Sequence, residues 1–317
     1  MKKSLIALAT LAATTAFAQS SVTLSGTFDP SYSRVQTTTA AGAKSTVNSL
    51  ANSQQGTSGI SFTGTEDLGG GLKAYFRYEA NFDATEGGAA AAGATSGLTA
   101  GEVFAGLQGG FGSIQLGRAN SHTLAVQGAR TPFGTKVGGG FGTVSGTANV
   151  RNNDSIKFTS PKFGGLTVGA THGLKTTTAA AWNEVGVFYG AGALNIGLSN
   201  VSQKNTISQT NLSASYNLGV AVVMAGMHTQ DNKSGAANAK SKGYNVAVRV
   251  PMGAMTLLAN VGDLDVSGGN AGDRDIVAVG AQYALSKRTS AYARLVNDKT
   301  NAGNKVNTTL VGLQHNF

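Results

Sequence analysis

Four histidines, His122, His172, His228 and His315, are the residues best suited to proton transfer. None sits in a Gly-x-Ser-x-Gly or His-Glu-x-x-His motif, the patterns that activate a serine or hold a catalytic zinc. Scattered Ser, His and Asp do not make a triad without mutual geometry. The chain has no cysteine, which excludes disulfides, zinc–thiolate sites and a thiol nucleophile. Asp263-x-Asp265-x-Ser267-Gly268 matches the front of a calcium-binding loop. Its twelfth position is Arg274 in place of the bidentate glutamate, so it reads as a polar external loop. No catalytic residue, cofactor or metal is expected.

What remains is fixed charge. Basic residues outnumber acidic ones 24 to 15, for a net charge of +9. Segment 119–149 contains His122, Arg130 and Lys136 and no Asp or Glu. In a soluble secreted protein such an excess could serve nucleic acid or an anionic surface. No arginine-rich run or nucleic-acid motif supports that, and no nucleic-acid partner is expected. Lining a channel, the same excess would bias the lumen toward anions.

The elements that position these charges read as strands. Residues 1–18 look like a secretory signal. Lys2 and Lys3 precede the apolar run 5–13, and Ala16-Phe17-Ala18 fits a cleavage pattern, which leaves 19–317 as the mature chain. No later apolar run approaches the length of a membrane helix. Instead, apolar and polar residues alternate. Leu72, Ala74, Phe76, Tyr78, Ala80 and Phe82 alternate with Lys73, Tyr75, Arg77, Glu79, Asn81 and Asp83. Sixteen such segments can be marked between 21–34 and 305–317. Short Gly- or Pro-bearing connections alternate with longer polar ones at 35–56, 84–100, 119–149, 231–240, 263–273 and 298–304. An even count of strands, short turns on one side and long loops on the other fit a closed antiparallel transmembrane β-barrel. Only 12 % of residues are charged, which suits a wall whose alternate residues face lipid. Alternation puts Lys73, Arg77, Lys157 and Arg249 on the polar face. It puts Val311, Leu313, His315 and Phe317 on one face of the final strand, as its membrane anchor. The single Trp, Trp182, reads as an interface residue rather than a sugar platform.

Several stretches resemble the Gram-negative porin family, in particular the trimeric porins of β-proteobacteria. These are SSVTLSGTFD (20–29), GISFTGTEDLGGGLKAYFRYE (59–79), VFAGLQGGFGSIQLGR (103–118), IKFTSPKFGGLTVGA (156–170), YALSKRTSAYA (283–293) and VGLQHNF (311–317). They run in order along the whole mature chain; Ser25 stands where the family usually has an aromatic. The resemblance implies an all-β, sixteen-stranded antiparallel transmembrane barrel with the third external loop, here 119–149, folded into the pore. It also implies a homotrimer in the outer membrane, in contact with lipid and lipopolysaccharide, passing small hydrophilic solutes by passive diffusion. Family porins oppose basic wall residues with acidic residues on that loop. The acid-free loop here departs from this pattern and favours small anions. Arg77, Arg118 and Arg130 are the expected cationic part of the constriction, with Lys73, Lys136 and Lys157 close behind. Glu66 and Glu79 are the expected opposing acids.

Overall fold

The computed structural model describes residues 21–86, 99–140, 142, 150–177, 180–233, 239–267, 272–300 and 302–317. The expected signal, 1–18, lies outside the described residues, as does part of the segments 84–100 and 119–149. In chain order the first elements are β1 (Ser21–Phe28), β2 (Pro30–Thr38), β3 (Lys44–Asn52), β4 (Gly59–Gly69), β5 (Leu72–Asn81), β6 (Thr99–Gly109) and β7 (Gly112–Asn120). A short helix α1 (His122–Ala129) follows, then β8 (Arg151–Thr159), β9 (Leu166–Gly173), β10 (Trp182–Ala191), β11 (Leu194–Gln203) and β12 (Ile207–Asn217). The chain ends with β13 (Val222–Asn232), β14 (Ala239–Met252), β15 (Met255–Ser267), β16 (Arg274–Ala284), β17 (Thr289–Thr300) and β18 (Lys305–Asn316).

Neighbouring strands pair antiparallel throughout, and β18 pairs back onto β1 and β2, which closes the sheet. Eighteen segments make sixteen spans. β1 and β2 are one span broken at Asp29, since both pair with β18 in one continuous register, Phe28↔His315 and Ser31↔Gly312. β3 and β4 flank an excursion at 53–58 and pair with β2 and β1 respectively. The connection expected at 35–56 is therefore largely strand. β2 and β3 meet in a tight turn closed by Thr39 N–H to the Ala43 carbonyl at 2.9 Å. Closure leaves no sheet edge for lipid to meet, so the wall's backbone donors and acceptors are paired within it.

The two faces have opposite chemistry. One presents large apolar side chains to the surroundings, among them Leu24 at 56 % exposure and Val246 at 60 %. The other buries polar ones, including Ser61, Ser155, Thr171, Asn211, Asn245 and Asn260. In β17, Ala291, Ala293 and Leu295 look outward, while Ser290, Tyr292, Arg294 and Val296 look inward and are buried. A soluble protein hides its apolar face; this wall turns it out, as lipid contact requires. On the final strand, Val311, Leu313 and Phe317 are exposed on the outer face. His315 shares that face, beside the Thr289 hydroxyl at 2.9 Å. Phe317 and Gly26 exchange two backbone hydrogen bonds, each 3.1 Å, which fastens the final residue to β1.

Candidate functional site

The one described helix leaves β7 and lies along the inner face of the wall. Ser121 caps it, its hydroxyl accepting from Leu124 N–H at 3.0 Å. The wall supplies a second cap. Glu184 of β10, itself buried, accepts from His122 N–H at 3.0 Å, Thr123 N–H at 2.6 Å and the Thr171 hydroxyl at 2.9 Å. A carboxylate is stabilised there by unpaired N–H groups and by the positive end of the helix dipole. Further along, Gln127 donates to Asn211 at 3.1 Å, and Asn245 donates to the Arg130 carbonyl at 2.8 Å. Asn260 donates to the Gly138 carbonyl at 2.9 Å.

Inward-facing glycines make room for this segment. A Cβ on Gly186 would lie 2.5 Å from His122 Cβ, and one on Gly226 would lie 2.5 Å from Arg130 Cβ. One on Gly169 would strike the His122 ring. Beyond the helix, Phe133 and Val137 cover the small apolar patch Leu258, Ile276, Ala278 and Val296. These residues break the polar pattern of the inner face where the segment rests. Burying Phe133 there stabilises the seat by about 1.5–3 kcal/mol.

The rest of the lumen at this level carries charge. Arg77 donates to Ser61 at 3.1 Å and to Glu79 at 3.0 Å, and its Nε lies 3.3 Å from Glu102. Glu102 also accepts from Asn120 N–H at 2.8 Å. Lys157 donates to the Asn120 carbonyl at 2.8 Å, and Arg151 donates to the Asn120 side chain at 2.7 Å. Lys136, half-buried on the inserted segment, donates to Thr57 at 2.8 Å. Burial pushes its ammonium down to about 8, with Asp29, Arg151, Arg294 and Glu79 the charges that act on it. Lys73 also faces inward but sits exposed beside the short turn, cross-strand from Asp67.

Three expected constriction residues fall elsewhere. Glu66 pairs with Ala74 and shares the outer face with Phe62 and Phe76, on the parity opposite to the lumen-facing Ser61 and Arg77. Arg118 pairs with Val103 in unbroken register with β6 and keeps the outward parity of Ile114 and Leu116. Its side chain binds the Gly101 carbonyl at 3.0 Å and Asn153 at 2.9 Å. Arg130 is on the inserted segment but only 2 % exposed, donating to the carbonyls of Gly139 and Gly140 at 3.2 and 3.3 Å. Burial pulls it down to about 10, which leaves it cationic at neutral pH and structural in use. Trp182 faces inward and is buried over Gly173, not at an interface. Asp263 and Asp265 lie on a strand, cross-strand from Asp275 and Lys242, so they do not form a calcium loop. Among the described residues no cluster of carboxylates or histidines is placed to hold a metal. Alternation alone could have found Glu102, Arg151, Glu184 and Arg294, but not their partners.

The comparisons with known proteins agree with this architecture. A family model described as Gram-negative porin matches residues 4–303. The chain is 31 % identical to outer membrane porin protein 32 of Delftia acidovorans, across 93 % of this chain and 89 % of that one. It is 29 % identical to major outer membrane protein P.IB of Neisseria meningitidis serogroup B, across the full length of both. Among solved structures it is similar to the anion-selective porin from Comamonas acidovorans, with a TM-score of 0.78 and 26 % identity. That match covers 94 % of this chain and 100 % of the other.

Proposed function

The chain belongs to the Gram-negative porin family, and from that premise we propose that its barrel is a general diffusion pore with an anion-preferring constriction. The observation that carries the preference is the disposition of acids. The described part of segment 119–149 has none, while Glu184 and Asp29 are buried at 2 % and 0 % exposure. Glu79 and Glu102 both face Arg77. Lys136, Arg151 and Lys157 donate to neutral oxygens of Thr57 and Asn120, so their charge acts on the passing ion. In a water-filled neck such fixed charges select by sign rather than by shape. We assign Arg77, Lys136, Lys157 and Arg151 to the constriction, Lys73 to the inner mouth, and Glu79 with Glu102 to the opposing side. The mechanism is passive, with no covalent step.

A homotrimer in the outer membrane, with lipid and lipopolysaccharide against the apolar outer face, is the assembly this reading implies. Residues 1–18 would serve as the cleaved export signal, with 19–317 the mature barrel. The test is swelling of liposomes carrying the purified protein, in neutral, anionic and cationic solutes of matched size. Faster swelling in the anion is expected. No swelling in any small solute would defeat the pore assignment, and faster swelling in the cation would defeat the preference.

A further inference from the structure

The inserted segment is held at its tip by a second arrangement, distant from the helix. Arg294 of β17 is buried, and its guanidinium reaches two separate pieces of chain. It donates to the Val137 carbonyl of the inserted segment at 2.6 Å and to the Gln54 carbonyl of the 53–58 excursion at 2.8 Å. The Phe133 ring centroid lies 5.2 Å from it and the Tyr292 ring centroid 5.3 Å. The excursion is itself anchored. Asp29, where β1 breaks from β2, accepts from Gln55 and Gly56 N–H at 2.6 and 2.7 Å and from the Tyr292 hydroxyl at 2.6 Å. A planar guanidinium can hold several acceptors in fixed directions, which an ammonium cannot.

We propose that Arg294 is a clamp that sets the width and steadiness of the neck, by joining the tip of the inserted segment to the 53–58 excursion. Arg294 acts as a positioning residue: its bonds go to the Val137 and Gln54 carbonyls and, at 3.4 Å, to the Gln55 side-chain oxygen, and its contribution is geometric rather than selective. The 53–58 excursion becomes a second inward segment of the constriction. The clamp rests on the reading of the lumen as an open pore.

The test is single-channel recording of the full-length protein in planar bilayers. Arg294→Gln should raise the occupancy of reduced-conductance states about tenfold, equivalent to about 1.4 kcal/mol. Arg294→Lys separates clamp from charge. It should show similar flicker while keeping the wild-type reversal potential, because it keeps the charge and loses the fork. Asp29→Asn, which weakens the other anchor and keeps its volume, should give a smaller rise of the same kind and serves if the Arg294 variants do not fold. Arg274→Gln, which breaks only the Asp298 pair at 2.8 Å elsewhere on the wall, should behave as wild type. Wild-type closing statistics in Arg294→Lys would overturn the clamp, as would wild-type statistics in Asp29→Asn should the Arg294 variants fail to fold. Absence of channels from the wild-type protein would instead defeat the pore reading beneath it.

Discussion

The inner wall has two halves with the same strand architecture and different chemistry. Beneath the inserted segment, from β9 round to β17, it offers glycines, Ser, Thr, Asn and Gln, and one apolar patch. The buried charges that touch this segment from the wall, Glu184 and Arg294, bind its backbone. On the uncovered side, β4 to β8 carry Arg77, Glu79, Glu102 and Lys157, directed at the lumen. The covered half is built to be touched by protein and the open half to be touched by water and ions. Burying a charge is costly unless it is hydrogen-bonded, and the two buried charges that meet the segment, Glu184 and Arg294, are both received by backbone groups.

The sharpest break in this contrast is to fill the seat. Gly226→Val would push against Arg130 and Asn245, and overpacking of this kind costs about 1–3 kcal/mol. Thermal unfolding should occur earlier, and single-channel conductance should change as the segment is displaced; Gly110→Ala, with open space around it, should alter neither. Next comes the wall-borne cap. Glu184→Gln leaves three donors sharing a weaker acceptor and should cost roughly 1–3 kcal/mol, read by thermal unfolding. On selectivity, Lys136→Met with Arg151→Gln should lower the anion-to-cation permeability ratio about fivefold, as loss of about 1 kcal/mol of attraction in water would do. Raising pH through about 8 should act in the same direction, since the Lys136 ammonium is charged below that value and neutral above it. A preference that strengthens on alkalinisation would remove Lys136 from the neck. The smallest effect belongs to the outer face: Glu66→Gln and Arg118→Gln should leave the reversal potential unchanged.

Much of this was legible in the sequence. The strand spans, the alternation of short and long connections and the outward parity of Val311, Leu313 and Phe317 follow from period two alone. The same parity already puts Glu66 with Phe62, so its expected place in the lumen conflicts with the pattern that located the strand. Other features depend on contacts between distant positions. Arg130 has the charge of a constriction residue, but its role was decided by Gly226 and by the carbonyls of Gly139 and Gly140. Arg294 lies on the inward parity of β17, yet its partner Val137 is 157 residues away. The excursion at 53–58 interrupts a span without a breaker strong enough to mark it, which is why 35–56 reads as one loop.

The account stands or falls on the sign of the reversal potential of the purified protein in a planar bilayer, under a roughly tenfold potassium chloride gradient at neutral pH. A sign set by chloride is predicted, because the acids at the neck are buried or face Arg77, while Lys136 and Lys157 donate to neutral oxygens. A sign set by potassium would contradict it.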